Sequence, residues 1–139
     1  MKLPTITKVL ILNDEGELLL LRRSQTDTRR PGQWDFPGGN VDQGEDLLAA
    51  IIRETEEEAH IGLKEPRVVY AHSEPLAPDV LPTWIFFAEK VAGRPAVQLS
   101  LEHDDFTWAP LREAATSFEY HIHRDALEYL ISNQVLENV

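Results

Sequence analysis

Polar and apolar positions along the chain divide it into strands, two clear helices and the loops between them. Thr5 to Leu12 reads as a strand, closed by the turn residues Asn13-Asp14-Glu15-Gly16. Glu17 to Arg23 is a second strand, whose unbroken Leu18 to Leu21 run suits a sheet covered on both faces. A polar loop from Ser24 to Gln33 leads to Trp34-Asp35-Phe36-Pro37-Gly38-Gly39, a short strand ending in a breaker, and Asn40 to Gly44 is a second loop. The clearest helix spans Asp46 to Ala59. There Leu47, Leu48, Ile51 and Ile52 recur at helical spacing, and Glu45 and Asp46 sit near the positive N-terminal end.

Arg67 to Ser73 reads as a strand, and Ser73 to Pro82, with three prolines, as a loop. Thr83 to Val91 is a strongly apolar strand, Phe106 to Ala109 a short one, and Leu111 to Ala115 a turn of helix. Ile122, Ala126, Leu127, Leu130 and Ile131 form the buried stripe of a final helix. Strands mixed with one early and one late helix predict an α/β arrangement of the α+β type, with a sheet sandwiched between helices. No repeat or linker divides the chain, so a single domain over residues 1–139 is expected.

Charge and composition narrow the chemistry. The chain carries 24 acidic and 13 basic side chains, a formal net charge of −11. Such a surface repels a polyanion, so no long nucleic acid is expected as partner. A small phosphorylated ligand stays open, because a bound cation inverts the local field. Cysteine is absent, which excludes disulfides, a thiol nucleophile and a thiolate metal site. No apolar run approaches the ~20 residues of a membrane span, and the N-terminal residues show no signal-peptide pattern. A cytoplasmic protein without a membrane partner is the expectation.

The informative segment runs from Gly39 to Ile61. Glu54, Glu57 and Glu58 stand at i, i+3 and i+4, so their side chains share about 100° of helix surface. Like charges at that spacing repel by a few tenths of a kcal/mol per pair. A solvated acidic face is the plain reading; the chemical one is a cation among them, since carboxylate oxygens are preferred ligands of Mg²⁺ and Mn²⁺. Arg53, four residues before Glu57, is placed to hold it. Gly38-Gly39 and Gly44-Glu45 lead into the helix N-terminus, where backbone can approach phosphate oxygens closely.

In these residues the chain resembles the Nudix hydrolases. Their box asks for Gly, five residues, Glu, seven residues, then Arg-Glu-hydrophobic-x-Glu-Glu-x-Gly-hydrophobic. Gly39, Glu45, Arg53, Glu54, Thr55, Glu57, Glu58, His60 and Ile61 stand at those spacings, and Trp34 to Gly39 looks like the family's Phe-Pro-Gly-Gly lead-in. Two positions depart: Thr55 replaces a hydrophobic residue and His60 the glycine that closes the helix. His60 either takes up a positive φ, at a cost of ~1–2 kcal/mol, or Gly62 shifts the turn.

The resemblance implies the family's α/β/α sandwich and metal-dependent hydrolysis of a diphosphate bond in a nucleoside diphosphate derivative, a nucleoside triphosphate or related nucleotide first, with Mg²⁺ or Mn²⁺ as cofactor. It implies metal binding by Glu54, Glu57 and Glu58, with Glu57 and Arg53 in the catalytic set, a bend at Gly39, and a glutamate oriented by Arg53. Glu45 either supports the loop, contacts metal indirectly, or answers the helix dipole. Glu102, several residues before Trp108, resembles a further ligand or general base, against Asp104, Asp105 or plain exposure. Gly38, Gly39 and Arg23 are the expected substrate contacts. Relatives commonly form homodimers, and one is admitted here.

Other candidates have bland alternatives. Arg22, Arg29 and Arg30 read either as anion contacts or as solvated charges, Trp84 and Phe86 as a base-stacking pair or as core, and His121 and His123 as a metal pair or as ordinary helix residues. A non-catalytic nucleotide-sensing domain is the alternative function, and the retained carboxylates count against it. Family members that isomerise isoprenoid diphosphates use a cysteine, which this chain lacks, and messenger-RNA decapping favours a basic groove.

Overall fold

The computed structural model describes residues 1–139. Seven strands form one mixed sheet: β1 (Thr5–Leu12), β2 (Glu17–Arg23), β3 (Trp34–Asp35), β4 (Gly38–Asn40), β5 (Arg67–Ser73), β6 (Thr83–Lys90) and β7 (His103–Pro110). The helices are α1 (Leu47–Ala59), α2 (Leu111–Ser117) and α3 (His121–Ser132), followed by a 3₁₀ turn at Val135–Asn138. No helix is long and apolar enough to cross a membrane.

The β1–β2 hairpin pairs only near its turn, at Leu12 and Leu18. Beyond that the two strands part, and residues 34–40 fill the gap. β3 pairs with β2, the chain steps across at Phe36-Pro37, and β4 pairs with β1. The segment expected to be one short strand is therefore two, because proline interrupts the ladder where the partner changes. On its outer edge β1 runs parallel to β6, which pairs antiparallel with β5, and β2 pairs antiparallel with β7 along Glu17–Arg23. β7 starts at His103, earlier than Phe106, because His103 and Asp105 find ladder partners on β2, across a register shift at Asp104, that no local pattern reveals.

Strand alternation sorts the core into two layers. Leu10, Leu12, Leu18, Leu20, Trp84 and Phe86 pack with Ile122, Ala126, Leu127 and Leu130 of α3. Val9, Ile11, Leu19, Leu21 and Phe87 pack with Ile51 and Ala59 of α1. Both faces of the Leu18–Leu21 run are thus fully buried, as a sheet covered on each side requires. Trp84 and Phe86 are core residues, with 2% and 0% exposure.

Helix α1 departs from its apolar pattern. Ile51 is buried, but Leu47, Leu48 and Ile52 are 37%, 50% and 36% exposed. The inner edge runs through Ala50, Ile51, Thr55, Glu58 and Ala59. Thr55 thus occupies a core position, with its hydroxyl enclosed and without a partner. Thr55→Val is expected to raise unfolding stability by about 1 kcal/mol, because it removes a desolvated hydroxyl and keeps the side-chain shape. Urea denaturation checks this, and a destabilised variant would show that the hydroxyl has a partner.

The helix ends as the substituted glycine position demands. His60 lies in the left-handed region at φ 57°, ψ 36°, and its N–H closes on the Glu56 carbonyl at 3.0 Å. Its Nδ1 donates to the Gln98 carbonyl at 2.9 Å, which helps offset the strain. The positive φ falls on His60, and Gly62 does not take over the turn.

Candidate active site

Asp46 caps α1, its carboxylate accepting from the Ala49 N–H at 2.7 Å. That leaves Glu45 free for another task. Arg53 grips it with two hydrogen bonds, Nε to Oε2 at 2.7 Å and Nη2 to Oε1 at 2.9 Å. The same guanidinium reaches Glu54 at 3.0 Å, Glu57 at 3.3 Å and the Asn40 carbonyl at 3.3 Å. The hydrogen bonds from Arg53 hold the Glu45 carboxyl down to about 2. Arg53 therefore straps the loop before the helix to the acidic edge of the helix, and Glu45 is its anchor.

The three glutamates of the helix do not share one environment. Glu58 is buried, and its Oε1 accepts the Gly38 N–H at 2.7 Å. Burial pushes its carboxyl up to about 8, Asp35 and Glu54 add to the rise, and Lys8 and the Gly38 N–H oppose it. Glu54 is half-buried; desolvation raises its pKa against Arg53, with Glu57 and Glu102 adding to the rise. Glu57 lies on the exposed flank beside Arg53, with 58% of its side chain accessible.

Glu54 and Glu58 open into a cleft of about 810 Å³ that Glu102 and His103 also line. One ligand atom each from Glu58, Glu102 and His103 lie within 4.8 Å of one another. Asp104 and Asp105 point elsewhere: Arg22 donates to Asp104 at 2.8 Å and stands 3.9 Å from Asp105. Of the acidic residues in this stretch, Glu102 is the one at the cleft. Clustered carboxylates with an imidazole beside them form a donor set that fits a divalent cation.

The two glycines serve these carboxylates. Gly38 has φ 137°, and a Cβ there would clash with the Thr7 carbonyl on β1. A Cβ on Gly39 would lie 2.7 Å from the Glu54 carboxyl carbon. Both glycines line the cleft, but the Gly38 N–H expected to meet phosphate is already taken by Glu58.

A model of the NUDIX domain matches residues 2–130. The chain belongs to the Nudix family. An asymmetrical bis(5′-nucleosyl)-tetraphosphatase of Caenorhabditis elegans is 34% identical over 110 residues, 75% of this chain and 75% of its own. An RNA pyrophosphohydrolase of Ectopseudomonas mendocina is 26% identical over 156 residues, covering 94% of this chain and 92% of its own. The crystal structure of a MutT protein from Methanosarcina mazei Go1 superposes with a TM-score of 0.84 at 29% identity, over 96% of both chains. The mixed sheet between helices is thus the Nudix fold.

Beside the acidic edge, this Nudix protein carries a buried charge cluster that the motif does not announce. Asp35 has no exposed surface, and it accepts from Lys8 Nζ at 3.1 Å, Arg23 Nη1 at 2.7 Å and His123 Nε2 at 2.7 Å. Arg30 stands 3.8 Å away, stacked 3.9 Å over the Tyr120 ring. Lys8, Arg23, Arg29, Arg30 and Tyr120 line the same cleft as the glutamates. Arg23 Nε and Arg30 Nη1 are enclosed donors with no acceptor. Arg22 lies outside the cleft, held by Asp104.

Asp35 and Lys8 went unread in the sequence, although each is a lone charge inside an apolar run (Thr7-Lys8-Val9, Trp34-Asp35-Phe36), a pattern that signals a buried pair. His121 and His123 separate, since residues two apart on a helix point to different sides. His121 meets Glu74 at 3.0 Å, while His123 is buried on Asp35.

Burial pushes His123 down to about 4, against the pull of Asp35. The unfolded imidazole titrates near 6.5. Stability from this group is fully present above pH 6.5 and is lost as pH falls towards about 4, because only the unfolded state takes up the proton in that window. Thermal denaturation from pH 7 to 4 is expected to show Tm falling more steeply for the parent than for His123→Gln, which keeps a donor for Asp35 and does not titrate. Parallel profiles would mean that the ring is charged in the folded state.

Proposed function

We propose that this Nudix hydrolase cuts the phosphoanhydride linkage of a small nucleoside polyphosphate, a nucleoside triphosphate or a dinucleoside polyphosphate, with Mg²⁺ or Mn²⁺. The observation that carries this reading is one cleft lined by both a glutamate cluster and the guanidinium groups of Arg23, Arg29 and Arg30. A polyphosphate chain with divalent metal satisfies both, since the metal answers the carboxylates and the phosphate oxygens answer the arginines.

Glu54, Glu58 and Glu102 are the carboxylates that hold the cation, joined by Glu57 from the flank. When bound, the metal neutralises phosphate oxygens and acidifies water. Arg23, braced by Asp27 and Asp35, and Arg30, stacked on Tyr120, bind the phosphates. Arg53 positions Glu54 and Glu57 without touching substrate. Water attacks a phosphorus, a glutamate of the set takes its proton, and the bond from that phosphorus to the bridging oxygen breaks, releasing two phosphorylated products.

The charge of −11 favours a small substrate over an RNA end, because the net field of the chain repels a polyanion. A panel of nucleoside triphosphates, dinucleoside tetraphosphates and 5′-triphosphate RNA, with products identified by mass in ¹⁸O-water, tests this. A small nucleotide is expected to exceed the RNA at least tenfold in kcat/KM, and a preference for RNA would overturn the substrate class. Glu57→Gln is exposed and should fold normally with reduced turnover; unchanged turnover would remove Glu57 from the set.

A further inference from the structure

His103 is the one histidine that lines the cleft. It is 6% exposed at the start of β7, and its Nδ1 is enclosed with no hydrogen-bond partner. The register shift between Arg22 and Arg23 of β2 sets it opposite Arg23, so it enters the sheet beside the charge cluster rather than facing solvent. An imidazole nitrogen without a partner in a protein interior is costly unless something satisfies it. Glu58 uses one carboxylate oxygen on Gly38 and keeps the other, while Glu102 is exposed and enters no ion pair. The candidate ligand atoms of these three residues lie within 4.8 Å of one another.

We infer that Glu58, Glu102 and His103 form a mixed nitrogen–oxygen subsite for a divalent cation, with His103 as a direct ligand, and that this subsite favours Mn²⁺ over Mg²⁺. The inference rests on the metal-dependent reading above and adds to it the identity of a nitrogen ligand and the consequence for metal choice. Mg²⁺ takes oxygen donors almost exclusively, whereas imidazole suits softer first-row metals, whose affinity for nitrogen sites exceeds that of Mg²⁺. An all-carboxylate site would discriminate far less between the two.

Pulsed electron paramagnetic resonance on the full chain loaded with one equivalent of Mn²⁺ tests this directly. A ¹⁴N hyperfine coupling is expected in the parent and is expected to vanish in His103→Asn. By calorimetry with the metals alone, that variant should lose about tenfold in Mn²⁺ affinity and less than threefold in Mg²⁺ affinity, a split that a merely structural histidine would not produce. Should His103→Asn fail to fold, His72→Gln/His121→Gln, which removes the exposed pair meeting on Glu74, must keep the coupling. Mn²⁺ bound without nitrogen coupling, or equal losses for both metals, would overturn His103 as ligand while leaving the glutamate site standing. Failure of the parent to bind Mn²⁺ at all would overturn both.

Discussion

Glu58→Gln is expected to be more stable than the parent in metal-free buffer and slower in turnover by on the order of 10³-fold, equivalent to ~4 kcal/mol of transition-state stabilisation. The two effects share one cause. Glu58 is 5% exposed, with Asp35 and Glu54 nearby, so ionising its carboxyl in the metal-free fold is disfavoured and near neutral pH the fold must hold it protonated. Its folded-state pKa of about 8 lies above the unfolded value. The sign follows: stability is lost as pH rises from the unfolded value through about 8. The amide of glutamine still accepts the Gly38 N–H and carries no charge, so the metal-free fold gains roughly 2 kcal/mol near neutral pH. Mg²⁺ reverses the order. A metal at 100 times its Kd adds ~2.7 kcal/mol to a protein that binds it, and the variant lacks the charge that binds it. Urea denaturation with EDTA and with Mg²⁺, alongside initial rates, gives all three quantities. A variant less stable than the parent in EDTA would mean that burial does not disfavour the Glu58 charge, and turnover within tenfold would remove it from the catalytic set.

Asp35→Asn is expected to cost ~3–5 kcal/mol, because it leaves Lys8 and Arg23 beside a neutral amide in the interior. Asp35 has no exposed surface and meets three donors within 3.1 Å, so water cannot replace the lost charge without opening β3. The partners act as a unit, so the double variant Asp35→Asn/Lys8→Met should be more stable than Asp35→Asn alone, recovering on the order of 1–2 kcal/mol. If the two losses simply added, the cluster would be a set of independent pairs. Any folded fraction of Asp35→Asn should also bind substrate more weakly, since Asp35 holds Arg23 in the cleft at 2.7 Å. A change of less than 1 kcal/mol would show that Lys8 and Arg23 reach water by rearrangement.

Much of the fold was legible because it depends on local regularities. The Leu18–Leu21 run indicated a strand covered on both faces, and the structure buries all four residues. The fixed spacing from Gly39 to Ile61 indicated the family, since a loop bend, a capped helix and carboxylates on successive turns are properties of one continuous segment. The strain at His60 was visible as a residue standing where the pattern asks for glycine. Other features were hidden. Three apolar residues of α1 point to solvent because the helix is seated by Glu58 on the Gly38 N–H and by Ile51 and Ala59 on the sheet, which no helical repeat discloses. Glu102 could not be separated from Asp104 and Asp105 until β7 was set against β2, with Arg22 drawing off the two aspartates.

The sequence by itself determined which carboxylates ride on one helix, where that helix begins and ends, and that a strongly acidic chain needs cations to meet a phosphorylated ligand. Helical spacing, capping and net charge are read from neighbours along the chain, so they require no knowledge of distant contacts. Only the tertiary structure decided which cations answer Asp35, that His103 joins Glu58 and Glu102, and that Glu57 stands on the flank while its neighbour is buried. Those outcomes depend on residues 12 to 88 positions apart brought within hydrogen-bonding reach, and the energy of such pairs is set by burial, which exists only once the sheet and its two helical layers have closed around them.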